Sequence, residues 1–429
     1  MKYNEESILI FEKKNQAKKN IEDETKINQS ISFYKCNLFY LIFIIALIIF
    51  LFLFITNIKS IFPSLFNTFN KSESALGNGI NNQTLINELN NILKSFETEP
   101  QDLQKSVSSK NPIISAIIPV YNNAEKIKFT IHSIQCQNIS DIEIIIIDDN
   151  SKDNSVELIE QFQKNDPRIK LLKSQNNKGI LYSRSIGVLN SKGKNIVTLN
   201  SGDMLINYIF KDCLEQAELN DIDIIEFSFY NCSYINSSLF PISITNTNKY
   251  EKDENIITQP ELSSFMYKET KNVDLKYEII DEFIWGKLIK SSIYKKSIDM
   301  LNVLIYTEKV IFFESQIINF CLIKNANSFK FINKKGIIHI HNDKLINNNN
   351  QFIHDYIKYV SSIFKNSLNI HDTKIAVFEF ENMFDLLTDE LIKENKRNLF
   401  ELYNEINVCN FIEEDTKKEI EIKMKNILK

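Results

Sequence analysis

Residues 114–155 read ISAIIPVYNNAEKIKFTIHSIQCQNISDIEIIIIDDNSKDNS, and residues 166–205 read DPRIKLLKSQNNKGILYSRSIGVLNSKGKNIVTLNSGDML. Short apolar runs alternate here with segments of helical period. Ile114 to Pro119 reads as a strand, and Asp141 to Ile147 as a second, almost wholly β-branched. Between them, Ala124 to Gln135 sets Ile127, Ile131 and Ile134 on one helical face. Asp153 to Gln163 aligns Val156, Ile159 and Phe162 in the same way. Ile169 to Leu172 is a third strand, Leu181 to Asn190 a helix, and Asn195 to Leu199 a fourth strand. Such alternation implies an α/β fold with a mainly parallel sheet and helices on both faces.

Sheets of this kind bind ligands beyond the carboxyl ends of their strands. The first strand ends in Pro119-Val120-Tyr121-Asn122, the second in Asp148-Asp149-Asn150-Ser151-Lys152-Asp153, and the fourth in Asn200-Ser201-Gly202-Asp203. Acids at neighbouring strand ends suit a metal ion or ribose hydroxyls. Ser151 or Asp153 equally suits plain helix N-capping. Capping does not call for two successive acids, and the two roles can coexist.

The two quoted stretches together resemble the nucleotide-binding half of family-2 glycosyltransferases, inverting enzymes with a GT-A fold. The resemblance is strong over Ile113 to Leu205 and continues more weakly through Ile284-Trp285-Gly286-Lys287-Leu288 and Phe313-Glu314-Ser315 to His341. It implies a nucleotide diphosphosugar donor, most simply a UDP-sugar, and a glycan, protein or lipid hydroxyl as acceptor. By this resemblance Pro119 and Tyr121 sit beside base and ribose, and Asp149 reads the base edge. Arg184 stands near the pyrophosphate, and Ser201 joins the nucleotide-sugar set. Asp203 matches the last acid of the family's metal signature, which holds Mn²⁺ or Mg²⁺ on the diphosphate. Trp285 matches an aromatic beside the acceptor; ordinary core packing is the rival reading for this single tryptophan of the chain.

The expected chemistry is displacement at the anomeric carbon, with a carboxylate taking the acceptor's proton and a cation stabilising the leaving diphosphate. Two places depart from pattern. The metal signature reads Asn200-Ser201-Gly202-Asp203, where the family carries three acids. The acidic pair that opens a helix reads Glu314-Ser315, and a serine hydroxyl is no general base near neutral pH. Glu314 is the substitute by adjacency and Glu308 the next; a solvated carboxylate at a helix start is the alternative for Glu314. His339 and His341 alternate on a strand from Gly336 to His341. His341 is the candidate metal or diphosphate contact, against a plain surface histidine.

Outward from this domain, Leu38 to Ile55 reads LFYLIFIIALIIFLFLFI. These residues contain no charge and would span about 27 Å as a helix, close to one bilayer core. A cleaved signal peptide fits less well, because a long segment precedes the run. Lys18, Lys19, Lys26 and Lys35 before it outnumber Lys59 and Lys71 after it, which favours a cytoplasmic N-terminus and a luminal domain of Golgi or endoplasmic-reticulum type. The expected organisation is a tail over 1–37, a single-pass transmembrane helix over 38–56, a stem over 57–111, a GT-A domain over 112–345 and a helical region over 346–429. Helical spacing recurs at Gln351 to Lys365, Lys374 to Lys393, Asn398 to Ile406 and Glu413 to Lys429.

A formal charge of −5 argues against general nucleic-acid binding. The six cysteines are scattered with no zinc-ligand spacing, so free buried thiols or one or two disulfides are the open readings. Two functions besides active transfer are compatible with these residues. One is a degenerate nucleotide-sugar-binding or scaffold protein of the same fold, motivated by Asn200, Gly202 and Ser315. The other is a membrane adaptor, which leaves the strand-end acids unexplained.

Overall fold

The computed structural model describes residues 82–96, 110–137, 139–206, 208–235, 238–244, 255–259, 261–262, 267–269, 277–279, 283–340, 349–367 and 370–428. The expected transmembrane run over 38–56 lies outside the described residues. Among those described, no helix is long and apolar enough to cross a membrane.

Helix α1 (Asn82–Ser95) comes first, then β1 (Ile114–Val120), α2 (Ala124–Gln135), β2 (Ile142–Asp148), α3 (Ser155–Asn165), β3 (Ile169–Lys173), α4 (Ile180–Leu189) and β4 (Asn195–Thr198). The chain continues through β5 (Met204–Leu205), α5 (Ile209–Asn220), β6 (Ile224–Ile235), β7 (Ser238–Ile244) and β8 (Ile256–Thr258). A small hairpin, β9 (Tyr267–Glu269) and β10 (Tyr277–Ile279), precedes β11 (Lys287–Lys290), α6 (Ser291–Met300), α7 (Asn302–Thr307), α8 (Glu314–Asn325) and β12 (Ser328–Ile340). Four helices close the chain: α9 (Asn349–Asn366), α10 (Ile370–Phe384), α11 (Asp389–Val408) and α12 (Glu414–Leu428).

The main sheet runs β3-β2-β1-β4-β11-β6-β12-β5, with β7 added on β6 and β8 on β12. The first four strands are parallel, as expected. β11 then enters antiparallel to both β4 and β6, so the second half is mixed. β12 runs parallel to β6, and its far end pairs antiparallel with β5.

Strands β1 and β2 are buried on both faces, which explains their unbroken apolar composition. Alternate residues serve opposite cores: Ile117, Ile145 and Ile147 face α4, α6 and α8, whereas Ala116, Ile118, Ile144 and Ile146 face α2, α3 and α5. Helix α4 lies so close to the sheet that a Cβ at Gly187 would meet Ile117 Cγ2 at 2.4 Å. One acid interrupts β2: Glu143 accepts from Ser115 Oγ, Lys170 Nζ and the amides of Lys192 and Gly193. It fastens β1, β2, β3 and the turn into β4 at the amino end of the sheet.

Two expectations need correction. The stem over 57–111 includes part of the folded domain: Leu85, Leu89, Leu93 and Phe96 of the α1 segment are buried against Phe129, Leu239, Ile338 and Ile340. Asn90 clamps Leu239 through both of its backbone groups. A short amphipathic segment reads the same whether it caps a core or stands alone, which is why spacing alone assigned it to the stem. The single helix expected over Lys374 to Lys393 is broken at 385–388, where the Thr388 side chain caps α11 by accepting from the Leu391 amide. The C-terminal helices share one apolar core with the sheet, Ile357, Val360 and Phe380 lying in the same cluster as Ile117, Leu181 and Ile318. Cys136, Cys213, Cys232, Cys321 and Cys409 are free thiols.

Candidate active site

The carboxyl ends of β1 and β2 are laced together before any ligand is considered. Asn122 and Asn150 take left-handed backbone, at φ 49° and 64°, a conformation that asparagine tolerates better than most residues. Ser151 Oγ accepts from the Asn122 amide, and Asn122 Oδ1 accepts from the Lys152 amide. Asp153 accepts from the amides of Ala124 and Ser155 and so ties the starts of α2 and α3 together, whereas the N-cap position of α3, Asn154, makes no side-chain capping bond. Pro119 is buried inside β1 opposite Ile147, and Tyr121 stands half exposed at the rim.

The two successive acids do different work. Asp148 turns back on the Ser151 amide. Asp149 accepts from the Lys178 amide on one oxygen and the Gly179 amide on the other, each at 2.8 Å. Asp149 therefore shapes the loop that leads into α4. Burial pushes its carboxyl above the ordinary range, against the pull of those two amides and of the Lys309 charge.

The β4 loop is equally tied. Ser201 accepts from Asn123 Nδ2 through its carbonyl and its hydroxyl. Gly202, at φ 108°, donates its amide to Thr130 Oγ1. Asp203 is 1% exposed. Its Oδ2 accepts from the Asn200 amide, and its Oδ1 accepts from the Ile340 amide and lies 2.9 Å from His339 Nδ1. Trp285 is buried in an aromatic cluster, stacked on Phe283 with centroids 4.4 Å apart and on His339 at 4.3 Å. It is presented to the protein rather than to solvent.

These residues do not fit a divalent cation as they stand. Both oxygens of Asp203 are engaged by protein donors, and Asn200, Ser201 and Gly202 bring no second acid. Among the described residues no three His, Cys, Asp or Glu side chains gather to hold a metal. His341 lies outside the described residues. His339, its partner in the strand alternation, is the histidine found against Asp203.

Arg184, fully buried on α4, joins the loops to α8. Its Nε pairs with Glu314 Oε1 and its Nη2 donates to Asn200 Oδ1 at 2.8 Å. Its Nη1 finds no acceptor among the described residues. Glu314 also accepts from Ser315 Oγ, at 3.3 Å on Oε2, so both of its oxygens are occupied. Glu308 is turned elsewhere, to Lys358 at 2.9 Å and His354 Nε2 at 3.4 Å on α9.

The structure thus brings Asp149, Ser201 and Asp203 to connected loops at the carboxyl ends of the parallel strands, ties Arg184 of α4 and Glu314 of α8 to them through Asn200, and sets Glu308 to the side. Sequence reasoning missed Asn123, Asn200 and His339 as partners in this network. Only His339 had a signal, its alternation with His341. An open hollow of about 310 Å³ at the opposite end of the sheet, lined in part by Ile113, Asp141 and Tyr208, takes no part in it.

The fold is an α/β domain that gathers polar loops at the carboxyl ends of its parallel strands. Residues 115–296 match the model of Glycosyl transferase family 2. Over these residues the chain is similar to family 2 glycosyltransferases. Among curated relatives, a glycosyltransferase named EpsJ from Bacillus subtilis is 27% identical over 52% of this chain and 59% of its own length. The glycosyltransferase GlyG of Streptococcus pneumoniae is 29% identical over 28% of this chain and 40% of its own. The chain therefore spans about half the length of the curated relatives it matches. The crystal structure of S. aureus TarS residues 1–349 with UDP-GlcNAc is similar at a TM-score of 0.49 and 15% identity, over 73% of this chain and 89% of that one.

Proposed function

We propose that this domain binds a nucleotide diphosphosugar at the carboxyl rim of its parallel strands and transfers the sugar, with inversion, to an acceptor hydroxyl. One observation carries the reading: in a domain similar to family 2 glycosyltransferases, the loops after β1, β2 and β4 are cross-linked into a single rim. Pro119 and Tyr121 flank the base and ribose, and Asp149 holds the loop on which the nucleotide rests. The Nη1 of Arg184, without a partner among the described residues, is a buried donor of the kind a phosphate oxygen satisfies. A UDP-sugar is the simplest donor; a glycan, protein or lipid supplies the hydroxyl.

Transfer forms a bond from the acceptor oxygen to the anomeric carbon and breaks the bond to the diphosphate. The acceptor's proton needs a carboxylate. Glu314 would serve through Oε2, since Arg184 holds Oε1, and Glu308 by leaving Lys358 and His354. A second reading, a nucleotide-sugar-binding protein without turnover, draws on the same facts, since Asp203 and Glu314 are both occupied and serine stands at position 315. Leu38 to Ile55 is proposed to anchor the chain in a membrane, supported by its uninterrupted apolar run. The relatives named above are bacterial, and nothing in them supports a Golgi or endoplasmic-reticulum address.

The deciding experiment incubates the full-length chain with a panel of nucleotide sugars, with and without Mn²⁺, and reads nucleoside diphosphate release. Active transfer gives release with at least one donor. Binding by calorimetry without release from any donor supports the second reading.

A further inference from the structure

We infer that Asp355, on the C-terminal helix α9, is a positioning residue for the donor rim, acting through the segment 309–313. The inference rests on the proposal that this rim binds a nucleotide. Asp355 is 0% exposed and its carboxylate is surrounded by donors. One oxygen accepts from two successive amides, Ile311 and Phe312, each at 2.8 Å. The other accepts from Gln351 Nε2 at 2.7 Å and lies 2.9 Å from His354 Nδ1. Gln351 also donates to the Lys309 carbonyl. The next residue, Phe313, takes left-handed backbone at φ 57° and stacks on Tyr356 with centroids 4.5 Å apart.

A buried carboxylate holding a loop is common in protein cores. The other side of this loop sets it apart. A Cβ added at Gly179 would fall 2.6 Å from the Val310 carbonyl, so the segment lies directly on the loop whose amides Asp149 holds. The Lys309 charge acts on Asp149 itself. The segment then runs without interruption into Glu314, which binds Arg184 and, through it, Asn200. Residues 309–314 therefore lie against the loop into α4 and reach Asn200 of the β4 loop through Arg184, and α9 fixes them from behind. Loss of the Asp355 carboxylate would free two adjacent amides and let Val310 lift from Gly179. The rim would lose its shape while the apolar core, formed by other residues, stayed in place.

The test uses the full-length chain and the tightest-binding member of UDP, GDP, CDP and dTDP. In the native protein, bound nucleotide should slow amide exchange across 309–313 as well as across 176–179. Asp355→Asn keeps the side-chain shape but offers only one acceptor oxygen. It should weaken nucleotide binding about tenfold and raise the donor KM more than it lowers kcat, the scale of one buried hydrogen bond to a charged group. Gln351→Ala, a milder change, should weaken binding in the same direction and keeps the inference falsifiable where Asp355→Asn fails to fold. Unchanged affinity in both variants, or in Gln351→Ala alone when the other does not fold, overturns the inference even if melting temperatures fall. Failure of the native protein to bind any of the four nucleotides overturns the underlying proposal, and the inference with it.

Discussion

Arg184 and Glu314 lie 130 positions apart in the chain and meet in a buried ion pair, with side chains 1% and 5% exposed. This contact joins α4 to the first turn of α8 and puts a guanidinium on the very carboxylate that adjacency nominates as proton acceptor. Removing one member strands the other charge in the core. Glu314→Ala or Arg184→Met is expected to lower the unfolding free energy by about 3–5 kcal/mol, measured by denaturant titration. A Glu314 that served only as an outward-facing base would give lost turnover at unchanged stability instead.

Gly179 meets two demands at once. Its φ of 90° is costly for any other residue, and an added Cβ would press on the Val310 carbonyl, a backbone atom that no rotamer change can move. Gly179→Ala is expected to destabilise the domain by roughly 1–3 kcal/mol and to weaken nucleotide binding, read by thermal melting and calorimetry. Gly202, whose added Cβ would meet its neighbours at ordinary contact distances of 3.4 Å or more, should respond through its backbone strain alone.

The one tryptophan of the chain reports on the rim without any label. Trp285 is 4% exposed and stacks on His339, which in turn lies against Asp203. His339→Ala opens one face of the indole and removes a stacking contact worth about 0.5–1.5 kcal/mol. The expected result is a red-shifted emission maximum and a small loss of stability. An unshifted maximum would mean that the indole face is shielded by something other than His339.

Glu143 and Asp166 are two buried carboxyls that make the fold acid-sensitive, beside the more exposed Asp153 and Glu401. Burial raises the Glu143 carboxyl, but hydrogen bonds from Lys170, Ser115 and the Lys192 amide outweigh it and hold the group below its ordinary value of 4.5. Asp166 is held below its ordinary 3.8 in the same sense, chiefly by Arg168 and Gln135 against the cost of burial. A carboxyl lowered on folding contributes stability above its unfolded value and loses it as pH falls through the folded one. The domain should therefore weaken steeply below about pH 4.5 in a melting series. Glu143→Gln should flatten that slope and lower stability near neutrality by about 1–3 kcal/mol. Because Lys170 is 38% exposed, most of that loss comes from Ser115 and the two amides.

The parallel half of the sheet was legible because β1 to β4 alternate with helices whose apolar faces repeat every three or four residues. Strand periodicity also pointed to the rim, since the polar residues at 121–122, 148–153 and 200–203 follow apolar runs. The mixed half was not legible. β11 is four residues long and antiparallel to its neighbours, and no local pattern announces where such a strand inserts. The partners of the acids were hidden for a related reason. Asp203 is satisfied by Ile340 and His339, and Asp149 by amides of the α4 loop, contacts made through space between distant segments. A sequence shows that a carboxylate stands at a strand end; it does not show that the backbone has already claimed both of its oxygens. The same blindness put α1 in a stem and made Trp285 a candidate for sugar contact.

Nucleoside diphosphate release from a panel of nucleotide sugars by the full-length chain, compared with its Asp149→Ala variant, tests nucleotide-sugar turnover at this rim most directly. The expected result is release from at least one donor, reduced tenfold or more in the variant, about 1.4 kcal/mol of lost transition-state binding. Absence of release from every donor, or equal release by the two proteins, would contradict it.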